Sequence, residues 1–305
     1  MREVVKNYGP FFEFWWDGAN GEGPNGKKQN YDWRAYEQTL RNIAPQSIIF
    51  SDIGPDARWA GNEKGFAGET NWNLLDTVGF KRGEGAPSTD TLQQGNVFGK
   101  NWIPAECDVS IRPGWFYHAN EDSLVKTPNE LLNLYLKSVG RGANLLLNVP
   151  PDERGLINEK DSAALMGFKK LRDESFAKNV LEHALFSFNE NAIDYKNTLL
   201  GDHDENTFIK PGIGNDSGFT YTFSKPEMLN CIELQEPIRN GQRVKSFSIF
   251  LKLIDGNIKE IKGTTIGHKR MLTFSKAMVQ SFSVVIHSSK GEPLISEMKA
   301  YIIHD

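Results

Sequence analysis

The sequence contains few cysteines and no segment that could cross a membrane as a helix. Its two cysteines, Cys107 and Cys231, lie in different halves of the chain. Neither belongs to a Cys/His cluster with zinc-ligand spacing, so a zinc module and a disulfide framework are excluded as organising features. No run of 18 apolar residues is present, and the first residues do not form a signal peptide. The cellular compartment is therefore left open at this point.

Excess charge of one sign is also lacking. The net charge is only −4 over 305 residues, which gives no basic surface of the kind that binds nucleic acid. All seven tryptophans lie at or before Trp115, and none follows. This asymmetry predicts two unlike domains, as does the length. Tryptophan suits carbohydrate ligands because its flat apolar face matches a sugar ring, although any single tryptophan could equally belong to the core.

The first part of the chain has the rhythm of a β/α protein. The apolar run 11–16 ends at Asp17, an amphipathic helix is predicted over 31–44, and a second apolar run ends at Asp52. The same pattern recurs downstream, with strands at 106–111 and 144–149 and helices at 130–139 and 158–178. We therefore expect about four β/α units in residues 1–178, forming the C-terminal half of a (β/α)8 barrel whose opening strands are absent from the chain.

The remaining residues, 179–305, have the pattern of an all-β domain. Polar and apolar residues alternate in four segments, 219–223, 231–235, 246–253 and 282–286. Turn sequences such as Asp255-Gly256 separate them. Period-2 runs at short intervals predict a β-sandwich, with the domain boundary near 178–198.

Several carboxylates occupy positions where a barrel enzyme carries its chemistry. Asp17, Asp52 and Glu106 lie at or near strand ends, and Glu63 lies in the long Gly-rich stretch 53–103. Hydrolysis of a glycosidic bond requires two carboxyl groups around one sugar. The alternatives remain open, however. Asp17-Gly18 could be only a turn, Asp52 could be a capping residue, and Glu63, like the nearby Glu69, could be solvated.

Four longer segments help to decide between these alternative roles of the carboxylates. They resemble segments of the α-L-fucosidases of glycoside hydrolase family 29. Their positions are 14–21, 55–63, 104–118 and 142–152. Segment 14–21 is similar to the nucleophile segment, and 55–63 to a loop that carries the acid/base glutamate in one subfamily. That subfamily prefers α-1,3- or α-1,4-linked fucose on branched glycans. The resemblance covers nearly the whole chain.

The resemblance implies a retaining exo-α-L-fucosidase with Asp17 as nucleophile and Glu63 as acid/base, and with Glu106 as the alternative acid/base. Further substrate-binding candidates follow from the matched strings, namely Trp115, Arg58, Trp59 and His118. Arg58 and Trp59 either shape the loop or contact the acceptor sugar, and His118 either contacts ligand or is structural. We expect no cofactor and no metal. The expected partner is a fucosylated oligosaccharide or glycoconjugate, and a periplasmic or secreted location is expected.

The C-terminal region resembles the β-domain of these enzymes, a discoidin-like or jelly-roll β-sandwich, which we expect mainly to support the barrel. A half-barrel would leave two apolar strand edges open and would lack part of the sugar pocket. We therefore expect weak or no hydrolysis of aryl fucosides by the isolated chain. Two other hypotheses remain, a non-catalytic carbohydrate-binding fragment that relies on the β-sandwich and a fragment with no stable fold.

Overall fold

The computed structural model describes residues 1–18, 26–82, 85–188, 191–194, 199–214 and 217–304. The end of the nucleophile string, residues 19–21, lies outside the described residues, and so does part of the expected domain boundary. In the first part, the strands in chain order are β1 (Glu13–Trp15), β2 (Ile48–Ser51), β3 (Ala57–Trp59), β4 (Leu74–Leu75), β5 (Asn101–Trp102), β6 (Ala105–Ser110) and β7 (Asn144–Asn148).

Five of these strands form one parallel sheet in the order β1-β2-β3-β6-β7, and β4 and β5 form a separate antiparallel pair. The helices are α1 (Arg2–Tyr8), α2 (Trp33–Ile43), α3 (Thr89–Gln94), α4 (Pro128–Lys137) and α5 (Glu159–Phe176). The predicted β/α rhythm is therefore present. Because the strands are parallel, their carboxyl ends meet at one edge of the sheet, where Asp17, Asp52 and Glu63 lie. Glu106, by contrast, is the second residue of β6 and lies near the amino end of that strand.

Side-chain caps define where the predicted helices begin. Asp32 accepts a hydrogen bond from the Ala35 amide at the start of α2 (3.0 Å). Thr127 and Glu130 form a reciprocal capping box, so α4 begins at Pro128, slightly earlier than expected. Asn158 caps α5 by accepting from the Lys160 amide (2.9 Å).

The long stretch 53–103 contains more regular structure than its sequence indicates. It includes β3, α3 and the β4–β5 pair, and it has a small core of its own formed by Leu75, Leu92 and Ile103. Strand β3 has only three residues, too few to show a period of two. Yet it lies between β2 and β6 and completes the sheet. The structure therefore has five parallel strands where the sequence predicted about four β/α units.

The second part of the chain is an all-β region. Its strands are β8 (Ala184–Phe188), β9 (Asn191–Asp194), β10 (Phe219–Gln235), β11 (Val244–Leu253), β12 (Ile258–Gly263), β13 (Arg270–Ser289) and β14 (Glu297–Tyr301). They form one connected antiparallel sheet in the order β12-β11-β13-β10-β8-β9, and β14 also pairs with β10. The largest hydrophobic cluster of the protein lies in this region.

Two segments that the sequence presents as separate strands are the ends of one strand. Residues 219–223 and 231–235 both belong to β10, whose register against β13 shifts between Thr222 and Glu227. Pro226 lies in that interval, and a proline cannot donate a ladder hydrogen bond. The local interruption therefore has the appearance of a turn in the sequence, although the strand continues through it.

The all-β region is attached to the first part by hydrogen bonds to the loop that follows Glu63. The Gln242 side chain accepts from the Asn73 amide (2.9 Å) and donates to the Asn71 carbonyl (2.7 Å). Arg270 donates to the Glu69 carbonyl (2.7 Å). These contacts fix the 69–73 segment between the two parts. In the portion of the chain that the structure describes, no helix combines the length and apolarity needed to cross a membrane.

Candidate active site

A cavity of about 540 Å³ lies at the carboxyl ends of the parallel strands. Asp17 follows β1, Asp52 follows β2 and Asn148 ends β7, so three strands bring polar side chains to one place. The residues that line the cavity are Trp15, Trp16, Asp17, Gly18, Asp52, Trp59, Glu63, Asp108, Trp115, Phe116 and Asn148. Its volume is in the range of small-ligand sites, and its walls combine aromatic faces with carboxylates.

Asp17 is positioned by the aromatic packing of the residues before it. The Trp16 ring is 7% exposed and stacks on Trp33, with ring centroids 5.9 Å apart. The Arg82 guanidinium lies over its ring, 5.2 Å from the centroid. The Trp16 amide also donates to the Phe50 carbonyl on β2 (2.8 Å). Because these contacts hold the residue just before it, the exposed Asp17 carboxylate is presented to the cavity from a fixed strand end.

Glu63 meets Trp115 in the same cavity. The Trp115 Nε1–H donates to Glu63 Oε2 (3.2 Å), which joins two residues that are 52 positions apart. The Trp115 carbonyl accepts from Asn148 Nδ2 (3.0 Å), and Asn148 also donates to Ser110 Oγ (3.0 Å). Asn148 therefore satisfies a backbone group, and in doing so it holds the segment that carries Trp115.

The loop that carries Glu63 is tightly held. Asn62 Nδ2 donates to the carbonyls of Ala60 (3.2 Å) and Phe66 (2.9 Å), so one side chain closes the loop around Glu63. Gly65 has φ +74°, and a Cβ there would lie 2.8 Å from a methyl carbon of Val109. A side chain at this position would push the loop away from β6. These contacts hold the loop that carries Glu63 in a defined position at the cavity.

Asp108 is a cavity residue that the sequence interpretation missed. It lies on β6, is 2% exposed, and accepts a hydrogen bond from Trp59 Nε1 (2.7 Å). Burial, together with the negative charges of Glu63 and Glu106, raises the pKa of Asp108 to about 6. Alternation along β6 was the available signal, because Glu106, Asp108 and Ser110 must face the same side of a strand.

Glu106, the alternative acid/base, is buried and is not among the residues that line the cavity. Asn144 Nδ2 donates to its Oε2 (3.1 Å), and the carboxyl group of Glu13 on β1 interacts with it across the inner face of the sheet. Burial raises the pKa of both glutamates, and Glu106 Oε1 has no donor from a described N–H or hydroxyl group. A proton shared by the two carboxyl groups accounts for these observations.

Comparison with known proteins identifies the family to which this chain is similar. The sequence profile of the family described as Alpha-L-fucosidase matches residues 1–170. A protein of Arabidopsis thaliana named Alpha-L-fucosidase 1 is 36% identical over 312 residues, which cover 99% of this chain and 60% of that protein. The chain belongs to the alpha-L-fucosidase family. It spans 60% of the length of this curated relative.

Solved structures show the same fold. The glycoside hydrolase called SpGH29 superposes with a TM-score of 0.86 and 33% identity, covering 96% of this chain and 64% of its own. A glycoside hydrolase 29 family member from an unknown rumen bacterium gives a TM-score of 0.82 and 32% identity, covering 100% and 53%. A Ruminococcus gnavus fucosidase in complex with fucose gives 0.80 and 26%, covering 97% and 61%. The resemblance to the family is thereby confirmed.

Two of the expected substrate-binding residues of this family member do not reach the cavity. Arg58 is 0% exposed, and its guanidinium donates to the Leu92 (2.8 Å), Ile103 and Trp72 (3.0 Å) carbonyls. Of the two roles expected for Arg58, shaping the loop is the one that these contacts support. His118 is exposed, and its carbonyl accepts from Arg112 (3.3 Å). Trp59 and Trp115 both line the cavity.

The other acidic residues considered from sequence have local roles. Asp52 lines the cavity, and its Oδ1 accepts from the Ile53 amide (2.9 Å). Glu69 is exposed and lies 3.5 Å from Arg141, as expected for a loop residue. Within the described ranges, no group of three or more His, Cys, Asp or Glu side chains is arranged to hold a metal ion.

The Glu13–Glu106 pair makes stability depend on pH. The pKa of Glu13 is raised to about 8, so the folded state retains a proton that the unfolded chain releases near 4.5. Stability therefore falls as pH rises from about 4.5 to about 8. We expect Glu13→Gln to weaken this fall and to be more stable than wild type at pH 8, as measured by urea unfolding at pH 5 and 8. The exposed Glu3→Gln serves as control, and an equal Glu13→Gln effect at both pH values would contradict the shared proton.

Proposed function

We propose that this chain carries the catalytic residues of a retaining exo-α-L-fucosidase that removes α-1,3- or α-1,4-linked fucose from glycans. The observation that carries the proposal is that Asp17 and Glu63 line one cavity together with Trp59 and Trp115. Glycoside hydrolysis needs this combination, two carboxyl groups with different environments beside surfaces that pack on a sugar. Family membership adds independent support.

In the first step, the Asp17 carboxylate attacks the anomeric carbon of fucose, and the glycosidic C–O bond breaks. Glu63 donates its proton to the departing oxygen, so the acceptor sugar leaves as a neutral alcohol. In the second step, Glu63 takes a proton from water, and the water oxygen displaces Asp17 from the fucosyl ester. Two inversions at the same carbon give net retention of configuration, and both carboxyl groups return to their initial states.

The hydrogen bond between Trp115 and Glu63 fits an acid/base role. The indole N–H donates to Glu63 Oε2, which leaves Oε1 available to face the departing oxygen. Because Asn148 donates a hydrogen bond to the Trp115 carbonyl, the backbone of Trp115 is held in place, and its indole can orient the Glu63 carboxyl group. This arrangement fixes the direction of proton transfer, which is a requirement of general acid catalysis.

The aromatic wall fits a 6-deoxy sugar. Fucose has a methyl group where most hexoses carry a hydroxymethyl group, and an apolar wall stabilises a methyl group while leaving a hydroxyl without a partner. A relative of similar fold, the Ruminococcus gnavus fucosidase, was crystallised with fucose. The α-1,3/1,4 preference is supported by the string 55–63, which resembles the acid/base loop of the subfamily with that preference.

Mechanism-based labelling tests the proposal. A 2-deoxy-2-fluoro-fucosyl fluoride reacts in the first step and releases slowly, because the fluorine at C2 destabilises the positively charged transition state. We expect mass spectrometry to find the fluorofucosyl group on Asp17, and proton NMR to show α-fucose as the first product. Label on another residue would exclude Asp17 as the nucleophile, and β-fucose as first product would exclude retention.

Linkage is tested with three glycans. Release of fucose from α-1,3- and α-1,4-fucosylated trisaccharides, but not from an α-1,2-linked disaccharide, is the expected result. Equal release from all three would contradict the proposed preference. Glycan binding by the whole chain without labelling or turnover would instead support a non-catalytic carbohydrate-binding protein.

A further inference from the structure

The two-carboxylate mechanism leaves two carboxylates of the cavity, Asp52 and Asp108, without a role. Asp108 lies on the central part of β6, between the Trp59 side and the Asn148 side of the cavity, and it is 2% exposed. A carboxylate in such a position is costly to bury unless donors satisfy it. Burial therefore disfavours the charged form of Asp108, and hydrogen-bond donors are needed to offset that cost.

Only one other described residue donates a hydrogen bond to Asp108. This donor is Trp59 Nε1–H, which binds Oδ1 at 2.7 Å. Strands β3 and β6 are adjacent, with Trp59 paired to Glu106, so the indole and the carboxylate are held by neighbouring strands rather than by loops. The pair is therefore rigid, and a carboxylate with about four lone-pair sites retains capacity for a further donor.

The ligand chemistry that fits this remaining capacity is a hydroxyl group. The charged groups that raise the pKa of Asp108 are Glu63 and Glu106, and both are negative. A sugar that packs on Trp59 presents hydroxyl groups at the rim of its ring, next to the indole N–H edge. Hydrogen bonds to charged acceptors are stronger than those between neutral groups and distinguish ligands that have the donor from ligands that lack it.

We propose that Asp108, oriented by the indole N–H of Trp59, accepts a hydrogen bond from one ring hydroxyl of the sugar and thereby determines which sugars the cavity accepts. The inference rests on the proposed function, because it takes fucose as the occupant. It assigns no bond-making step to Asp108. Trp59 has two functions in this arrangement, since its face contacts the sugar and its N–H holds the carboxylate.

Binding of methyl α-L-fucoside and its 2-, 3- and 4-deoxy analogues tests this role, measured by calorimetry in an Asp17→Asn background that prevents turnover. We expect one deoxy analogue to bind about 10- to 100-fold more weakly than the parent. When Asp108→Asn is added to that background, binding of methyl α-L-fucoside should become weaker by a similar factor. The variant should also lose most of the discrimination against that deoxy analogue. The exposed Asp173→Asn on α5 is the control and should leave every affinity unchanged.

Trp59→Phe provides the second variant, because it keeps a ring and removes only the N–H group. We expect it to reduce discrimination against the same hydroxyl position, which a purely structural residue would not do. Unchanged discrimination in both Asp108→Asn and Trp59→Phe would overturn the inference. If the Asp17→Asn protein does not bind the fucoside, the proposed function is refuted, and the inference that rests on it is refuted as well. If the Asp108→Asn variant does not fold, the discrimination measured for Trp59→Phe decides whether the inference holds.

Discussion

Asp17→Ala is expected to lower the rate of aryl α-L-fucoside hydrolysis by roughly 10⁴-fold or more, because no fucosyl ester forms without the nucleophile. The folded state should be little affected, since Asp17 is exposed. Single-turnover measurements with enzyme in excess over substrate keep the comparison sensitive even when the wild-type rate is slow.

The exposed Asp90→Ala in the first turn of α3 is the matched control, and it should retain the wild-type rate. A rate within tenfold of wild type for Asp17→Ala would exclude this residue as nucleophile. Thermal unfolding of the variant separates loss of chemistry from loss of fold. If both the rate and the melting temperature fall, Asp17→Asn, which preserves the size of the side chain, provides the decisive rate.

Glu63→Ala is expected to have an effect that depends on the substrate. A substrate with a good leaving group needs little help from an acid, so its fucosyl-enzyme still forms and then waits for a base. Azide needs no base, so added azide should restore turnover and yield α-L-fucosyl azide. A substrate with a sugar leaving group should lose activity by several orders of magnitude and should not be rescued.

Glu106→Gln distinguishes the two candidates for the acid/base. Glu106 is buried against Asn144 and Glu13 and does not line the cavity, so azide should have no effect on this variant. Azide rescue of a Glu106 variant, combined with none for Glu63→Ala, would reverse the assignment. Product analysis by NMR identifies the fucosyl azide and its anomeric configuration.

Local sequence patterns predicted the larger elements correctly because their physical causes are local. Helices α2 and α5 have caps at Asp32 and Asn158, and their apolar residues recur at helical spacing. Strand β3 was missed because three residues cannot display a period, and it forms only where β2 and β6 supply hydrogen-bonding partners on both sides. Strand β10 appeared as two strands because the interruption near Pro226 has the local chemistry of a turn.

Some residues of the candidate site could likewise be predicted from sequence, whereas the roles of others became clear only from the structure. Motif strings were sufficient to select Asp17, Glu63, Trp59 and Trp115, and the cavity contains all of them. Arg58 belongs to a matched string as well, but its role depends on which way a strand residue points, and here its guanidinium is covered by backbone carbonyls. Alternation along β6 could have predicted that Asp108 faces the cavity. Its hydrogen bond from the Trp59 indole, however, depends on the neighbouring strand β3 and is visible only in the structure.

The sequence alone determined that this chain alternates apolar strands with helices, that carboxylates follow those strands, and that an all-β region comes after them. Those features depend on residue spacing, which a linear pattern contains. Only the tertiary structure decided which carboxylates share a cavity. Glu63 meets Trp115 from 52 positions away, whereas Glu106, two residues before Asp108, turns toward Glu13. Strand order and register decide such contacts, and both arise from packing between segments that are distant in the chain.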